Sequence, residues 1–129
     1  IHVGWKGAFK NILKKCIKFM IKKGSENKNI SAVIGPSIFR ENYEVKKEFM
    51  KRFLNLNDRN RKFFYFKKTR IFFDLKEFIK SQLRSLKISN IDIINKDTFK
   101  NRTEFFSARR ALKNKEDDYG RNISIIMLK

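Results

Sequence analysis

Apolar and polar positions along the chain follow two periods, one near four residues and one near two. Residues 8–23 place Phe9, Ile12, Leu13, Cys16, Ile17 and Met20 on one face of a helix, with Lys10, Lys14, Lys18 and Lys22 opposite. Gly24 is a fitting stop for that helix. Residues 30–34 are apolar and β-branched and run into Gly35 and Pro36, which predicts a buried strand closed by a turn. Val45, Phe49 and Phe53 recur every fourth position and predict a second helix over residues 41–54, followed by a polar loop over 55–61. Residues 63–66 and 71–73 fit short strands. Asp74 stands as the N-cap of a third helix, whose inward stripe is Leu75, Phe78, Ile79, Leu83 and Leu86, interrupted by Gln82. Residues 91–94 predict another strand, and residues 122–128, apolar on both sides, a central one. Strands alternating with helices imply a mixed α/β fold with the strands sandwiched by helices. No linker or internal repeat divides the 129 residues, which predicts a single domain over 1–129.

Composition narrows the function classes. Hydrophobic residues make up 41% and include fourteen Phe, enough apolar surface to exclude a disordered polycation. A formal charge of +19 invites a nucleic-acid or anionic-membrane partner. That reading weakens because Lys, Asn, Ile and Phe, which dominate the chain, are encoded mostly by A and T, so base bias alone produces the same excess. The aromatic run at 63–66, beside Lys67 and Lys68, fits base stacking but fits a core better. The lysine stripe opposite the first helix's apolar face reads as a solvated surface. The single cysteine, Cys16, excludes an intrachain disulfide and fits a small core residue. No apolar run has the length of a membrane span, and the expected location is cytoplasmic.

The first seven residues hold the only histidine, His2, the only tryptophan, Trp5, and two of the five glycines, Gly4 and Gly7. They read as a strand–turn–helix corner, a frequent setting for chemistry in α/β proteins. A lone histidine more often fills a hydrogen-bonded core position. Two further blocks change its meaning: Ile34-Gly35-Pro36 with Tyr43-Glu44-Val45, and Phe105-Phe106-Ser107-Ala108-Arg109-Arg110 with Gly120-Arg121. In this order the three blocks resemble the polyphenol-oxidase laccase-domain family, members of which act as purine nucleoside phosphorylases. The resemblance covers the C-terminal half of that family's domain. The chain begins on Ile1, within what reads as the tail of a strand, and an upstream portion is expected.

The resemblance implies that His2 is one of three ligands for zinc or copper, the other two, a histidine and a cysteine, lying upstream. Cys16 does not occupy the matching position. It implies phosphorolysis of adenosine, inosine or S-methyl-5'-thioadenosine, with adenosine deamination as a further activity, and a chain inactive by itself because two ligands are missing. The partners it implies are a purine nucleoside, phosphate and a separately encoded N-terminal half. Phosphorolysis needs an oxyanion held beside the sugar carbon, and arginine's planar fork suits that role. Arg109 and Arg110 are the candidates for holding phosphate, with Ser107 donating to substrate and Arg121 and Lys6 in secondary roles. The competing readings are a salt bridge from one of the paired arginines to Glu104 or Asp97, and a backbone cap for Ser107. Ala108 replaces the aromatic or histidine common there in the family, and Lys6 keeps the charge of the commoner arginine without its fork. The alternatives to an enzyme are a basic nucleic-acid-binding protein and a remnant of a split gene without activity.

Overall fold

A computed structural model describes residues 1–127. The helix predicted over 8–23 is two helices, α1 (Trp5–Phe9) and α2 (Ile12–Lys22). Asn11 separates them in the left-handed conformation, φ 52°, which asparagine tolerates, and its side chain accepts the Lys14 N–H at 3.4 Å. Gly24, φ 97°, closes α2, with its own N–H and that of Ser25 donating to the Ile21 and Met20 carbonyls at 2.9 and 3.1 Å. The strand expected to lead into His2 is not formed, and Ile1 is 74% exposed. Among the described residues nothing runs alongside it, and a strand exists only through its ladder.

Strand β1 (Ser31–Ile34) follows, then a short 3-10 turn, Arg40–Asn42, and β2 (Glu44–Val45). The second helix, α3 (Lys47–Leu56), starts later than its apolar period suggests, because Glu44 and Val45 pair with Phe72 and Ile71 instead of coiling. A 3-10 stretch, Asp58–Phe63, occupies much of the predicted polar loop. Strands β3 (Phe64–Lys67) and β4 (Arg70–Phe73) form a hairpin, giving an antiparallel sheet of order β2-β4-β3. Helix α4 (Leu75–Ser85) and strand β5 (Asn90–Ile93) follow, and β5 pairs in parallel with β1 in a second sheet. The last helix is α5 (Ala108–Asn114). Helices and short strands alternate as the α/β reading implied, with the strands divided between two small sheets.

One buried cluster joins these elements, and its centre is aromatic. Phe53 is fully buried, with ring centroids of Phe9, Phe49, Phe64, Phe73 and Phe78 at 4.9 to 5.9 Å. Edge-to-face contacts dominate, as the ring quadrupole favours. Thus Phe63, Phe64 and Phe73 join this interior, Phe72 is buried on the other face of the sheet against Tyr65, and Phe66 stays half exposed under the Arg61 guanidinium. Leu75, Phe78, Ile79 and Leu83 of α4 are buried as predicted. Gln82 interrupts their stripe because its Nε2 donates to the Ala8 carbonyl at 2.9 Å, tying α4 to α1. Asp74 caps α4 by accepting the Glu77 N–H at 2.9 Å. Asp74→Ala is expected to cost about 1 kcal/mol in urea unfolding, and an unchanged midpoint would remove that cap from the account.

The strand predicted over 122–128 is not present in the described part. Residues 121–127 have no regular structure, and Ile123, Ile125 and Met127 are 84 to 90% exposed. Leu128 lies outside the described residues. The alternation there has no neighbouring strand among the described residues to complete a ladder. No helix among the described residues is long and apolar enough to cross a membrane.

Candidate functional site

The paired arginines enter through α5, whose N-cap is Ser107. Its hydroxyl is buried and accepts the Arg110 N–H at 3.4 Å, the capping alternative for this residue. Successive helical positions send Arg109 and Arg110 to different places. The Arg110 guanidinium donates to the carbonyls of Thr98, Phe99 and Phe105 at 2.8, 3.0 and 2.6 Å. Those bonds fix the loop between β5 and α5. Neither carboxylate considered for a salt bridge is used by the pair: Glu104 pairs with Lys96, and Asp97 accepts the N–H groups of Phe39 and Phe99 and the side-chain amide of Asn42. Asp97 is buried and joins this loop to the turn after β1, a structural role that its type alone did not reveal.

Arg109 takes the other direction. One of its nitrogens donates to the Glu44 carbonyl at 3.1 Å, and the guanidinium lies 5.0 Å from the centre of the Tyr43 ring. This contact brings the Tyr43-Glu44-Val45 block to the arginine block. Tyr43 is buried, and burial pushes its phenol above the usual range while the Arg109 charge acts in the opposite direction. Tyr43 carried no site role in the sequence reading; a buried tyrosine facing an arginine becomes visible only in three dimensions. Because Arg109 spends part of its fork on the backbone and stacks one face on an aromatic, it keeps donors for an oxyanion.

The glycine-bearing blocks are held by close approach. A methyl group on Gly120 would fall 2.5 Å from the Phe106 ring, so the ring lies directly on that backbone. Asn122 then clasps Phe106, accepting its N–H at 3.0 Å and donating to its carbonyl at 2.8 Å. Arg121 is exposed, bonded to the Tyr119 carbonyl and 3.6 Å from Asp118. At the opening corner, a methyl on Gly4 would lie 3.0 Å from Nε2 of His2, so the exposed imidazole folds back over Gly4. Gly4→Ala is expected to shift the His2 ring resonances in NMR and to alter stability by less than about 0.5 kcal/mol. Unmoved ring resonances would contradict the folded-back geometry.

Lys6 is exposed beside the Trp5 ring, 5.8 Å from its centre. Trp5 meets Phe49 at 5.2 Å and Phe49 meets Tyr43 at 6.3 Å, so the corner and Arg109 are anchored on one aromatic cluster. Among the described residues, no three of His, Cys, Asp or Glu come together as a metal site. Cys16 is half-buried on α2. The residues present therefore do not fit a zinc or copper centre by themselves; they offer one imidazole.

The sequence matches a known family and several relatives. Residues 1–129 match the family described as multi-copper polyphenol oxidoreductase laccase. A purine nucleoside phosphorylase of Rickettsia conorii is 36% identical over 99% of this chain and 53% of its own length. A purine nucleoside phosphorylase of Rickettsia prowazekii is 37% identical over 85% of this chain and 46% of its own length. An adenosine deaminase of an unknown prokaryotic organism is 38% identical over 44% of this chain and 23% of its own length. The chain spans about half the length of the purine nucleoside phosphorylases it matches. It belongs to the multi-copper polyphenol oxidoreductase laccase family.

Proposed function

We propose that this chain supplies the phosphate-holding half of a purine nucleoside phosphorylase site. The observation that carries this reading is the division of labour within the arginine pair. Arg110 is consumed by three backbone carbonyls, while Arg109 is oriented by Tyr43 and Glu44 with donors to spare. Held this way, Arg109 binds a phosphate oxyanion and places it against the sugar carbon of a purine nucleoside. A phosphate oxygen forms the new bond to that carbon as the carbon–nitrogen bond to the purine breaks. Ser107 and Arg110 act as positioning residues, holding the start of α5 so that Arg109 points correctly. Adenosine, inosine and S-methyl-5'-thioadenosine are the substrates the family implies. The name of the adenosine deaminase relative supports deamination as a further activity.

His2 is assigned as one ligand of a zinc or copper ion whose other ligands come from a complementary half of the domain. Arg121 and Lys6 add positive charge near the phosphate. By itself the chain is inactive. The test of Arg109 uses a protein in which the unmatched part of the Rickettsia conorii relative is joined ahead of Ile1. Arg109→Ala is expected to raise the KM for phosphate roughly 10- to 100-fold, the loss of one charge-assisted bond, while costing only about 1 kcal/mol of stability in urea unfolding. An unchanged KM for phosphate removes Arg109 from the site.

A further inference from the structure

We propose that a cleft along the outer face of α4 is a further binding site, for a small phosphate monoester that carries a flat ring, such as a nucleoside monophosphate. Two adjoining hollows of about 420 and 380 Å³ make up the cleft, each within the roughly 300 to 1,000 Å³ of small-molecule sites. Arg40, Asp74 and Glu77 line both and stand between them. Neither hollow is lined by Tyr43, Ser107, Arg109 or Arg110, so the cleft is separate from the Arg109 site.

The two ends differ in chemistry. The first holds Phe39 and Ile93, and because Ile93 ends β5 it lies at the carboxyl end of a parallel strand, where α/β sheets ordinarily take ligands. Asn95 accepts the Lys76 ammonium at 3.1 Å, which leaves its amide N–H groups for a ring nitrogen or carbonyl. Lys76 Nζ in turn lies 4.0 Å from the centre of the Phe39 ring. Glu41, Asp74 and Glu77 here face only Arg40 and Lys76, so this end has no surplus positive charge for an anion. It suits the ring.

The second end is built from Lys62, Ser81 and Arg84. Glu77, Ser81 and Arg84 follow at steps of four and three along α4 and share one helix face. Arg40 is paired with Glu41 and Glu77 with Lys80, whereas among the described residues neither Lys62 nor Arg84 has a carboxylate partner. Two uncommitted cations beside a hydroxyl suit phosphate oxygens. Between the ends, Asp74 accepts the Glu77 N–H with one oxygen at 2.9 Å and keeps the other for a sugar hydroxyl. From Asp74 to Arg84 the helix advances about 15 Å, room for ring, sugar and phosphate in line.

Calorimetric titration of the chain with adenosine 5'-monophosphate, adenosine and inorganic phosphate tests the assignment, and it reads binding, not turnover. The monophosphate is expected to bind at least about tenfold tighter than either fragment, since each fragment fills one end only. Lys62→Ala combined with Arg84→Ala is expected to weaken the monophosphate at least about tenfold and to leave adenosine unchanged. Phe39→Ala is expected to weaken both. Lys14→Ala combined with Lys18→Ala removes the same charge from the exposed face of α2 and is expected to change neither. Urea midpoints confirm that each variant is folded. No binding of the monophosphate at millimolar concentration overturns the proposal, as does inorganic phosphate binding equally well. An equal loss in the Lys14 and Lys18 variant would reduce the effect to general charge, and a loss in Arg109→Ala would move the ligand to the site already described; either result also overturns it.

Discussion

Phe53→Ala is expected to destabilise the chain by about 4 kcal/mol, within the range for deleting a buried phenylalanine. The side chain is fully buried and touches rings from α1, α3, β3, β4 and α4, so its removal leaves a cavity that no single element can fill by moving. Each favourable aromatic pair adds about 0.5 to 1.5 kcal/mol beyond burial, and this ring takes part in several. Such a loss is comparable to the whole stability of a small domain, about 5 to 15 kcal/mol, so unfolding at moderate urea is the expected reading. Phe53→Leu keeps much of the volume and is expected to cost about 1 to 2 kcal/mol. Equal midpoints for the two variants would show that the aromatic cluster is not the centre of the core.

Arg110→Ala is the second large loss, expected at about 3 kcal/mol. Three carbonyl acceptors lose a charged donor at once, and a part-buried acceptor left unpaired costs about 1 to 3 kcal/mol. Arg110→Lys does not restore the three bonds, because an ammonium cannot present the planar fork that reaches Thr98, Phe99 and Phe105 together. The neighbouring Arg109→Ala removes one bond to the Glu44 carbonyl and a stack on Tyr43, and its cost is expected to stay near 1 kcal/mol. Urea unfolding of the three variants gives the order directly. A larger loss for Arg109 than for Arg110 would reverse their assigned roles.

The parts of this fold that local chemistry decides are readable in the chain. Gly24 and Asp74 perform the stop and the cap that their types suggest, and the stripe of α4 turns inward as its spacing requires. The parts that depend on a distant partner are not. Glu44 and Val45 continue a helical period, yet they pair with β4 more than twenty residues away. Asn11 breaks a helix that its neighbours would carry through, because its side chain offers an alternative hydrogen bond. The tail shows the opposite error. Its apolar pattern reads as a strand, yet residues 121–127 have no regular structure, because pattern cannot supply the strand beside it. At the site, residue type named two adjacent arginines as equals. Only the carbonyls around Arg110 and the ring beneath Arg109 separate them. Tyr43 was visible as part of a motif, and its contact with Arg109 was not.

The central claim is that the site is completed across this chain and a complementary half. Phosphate-dependent release of adenine from adenosine, followed in the chain alone and in the protein joined to the unmatched half of the Rickettsia conorii relative, tests it most directly. The account predicts turnover by the joined protein that stops when phosphate is withdrawn, and none by the chain alone. Equal turnover by the chain alone would contradict it.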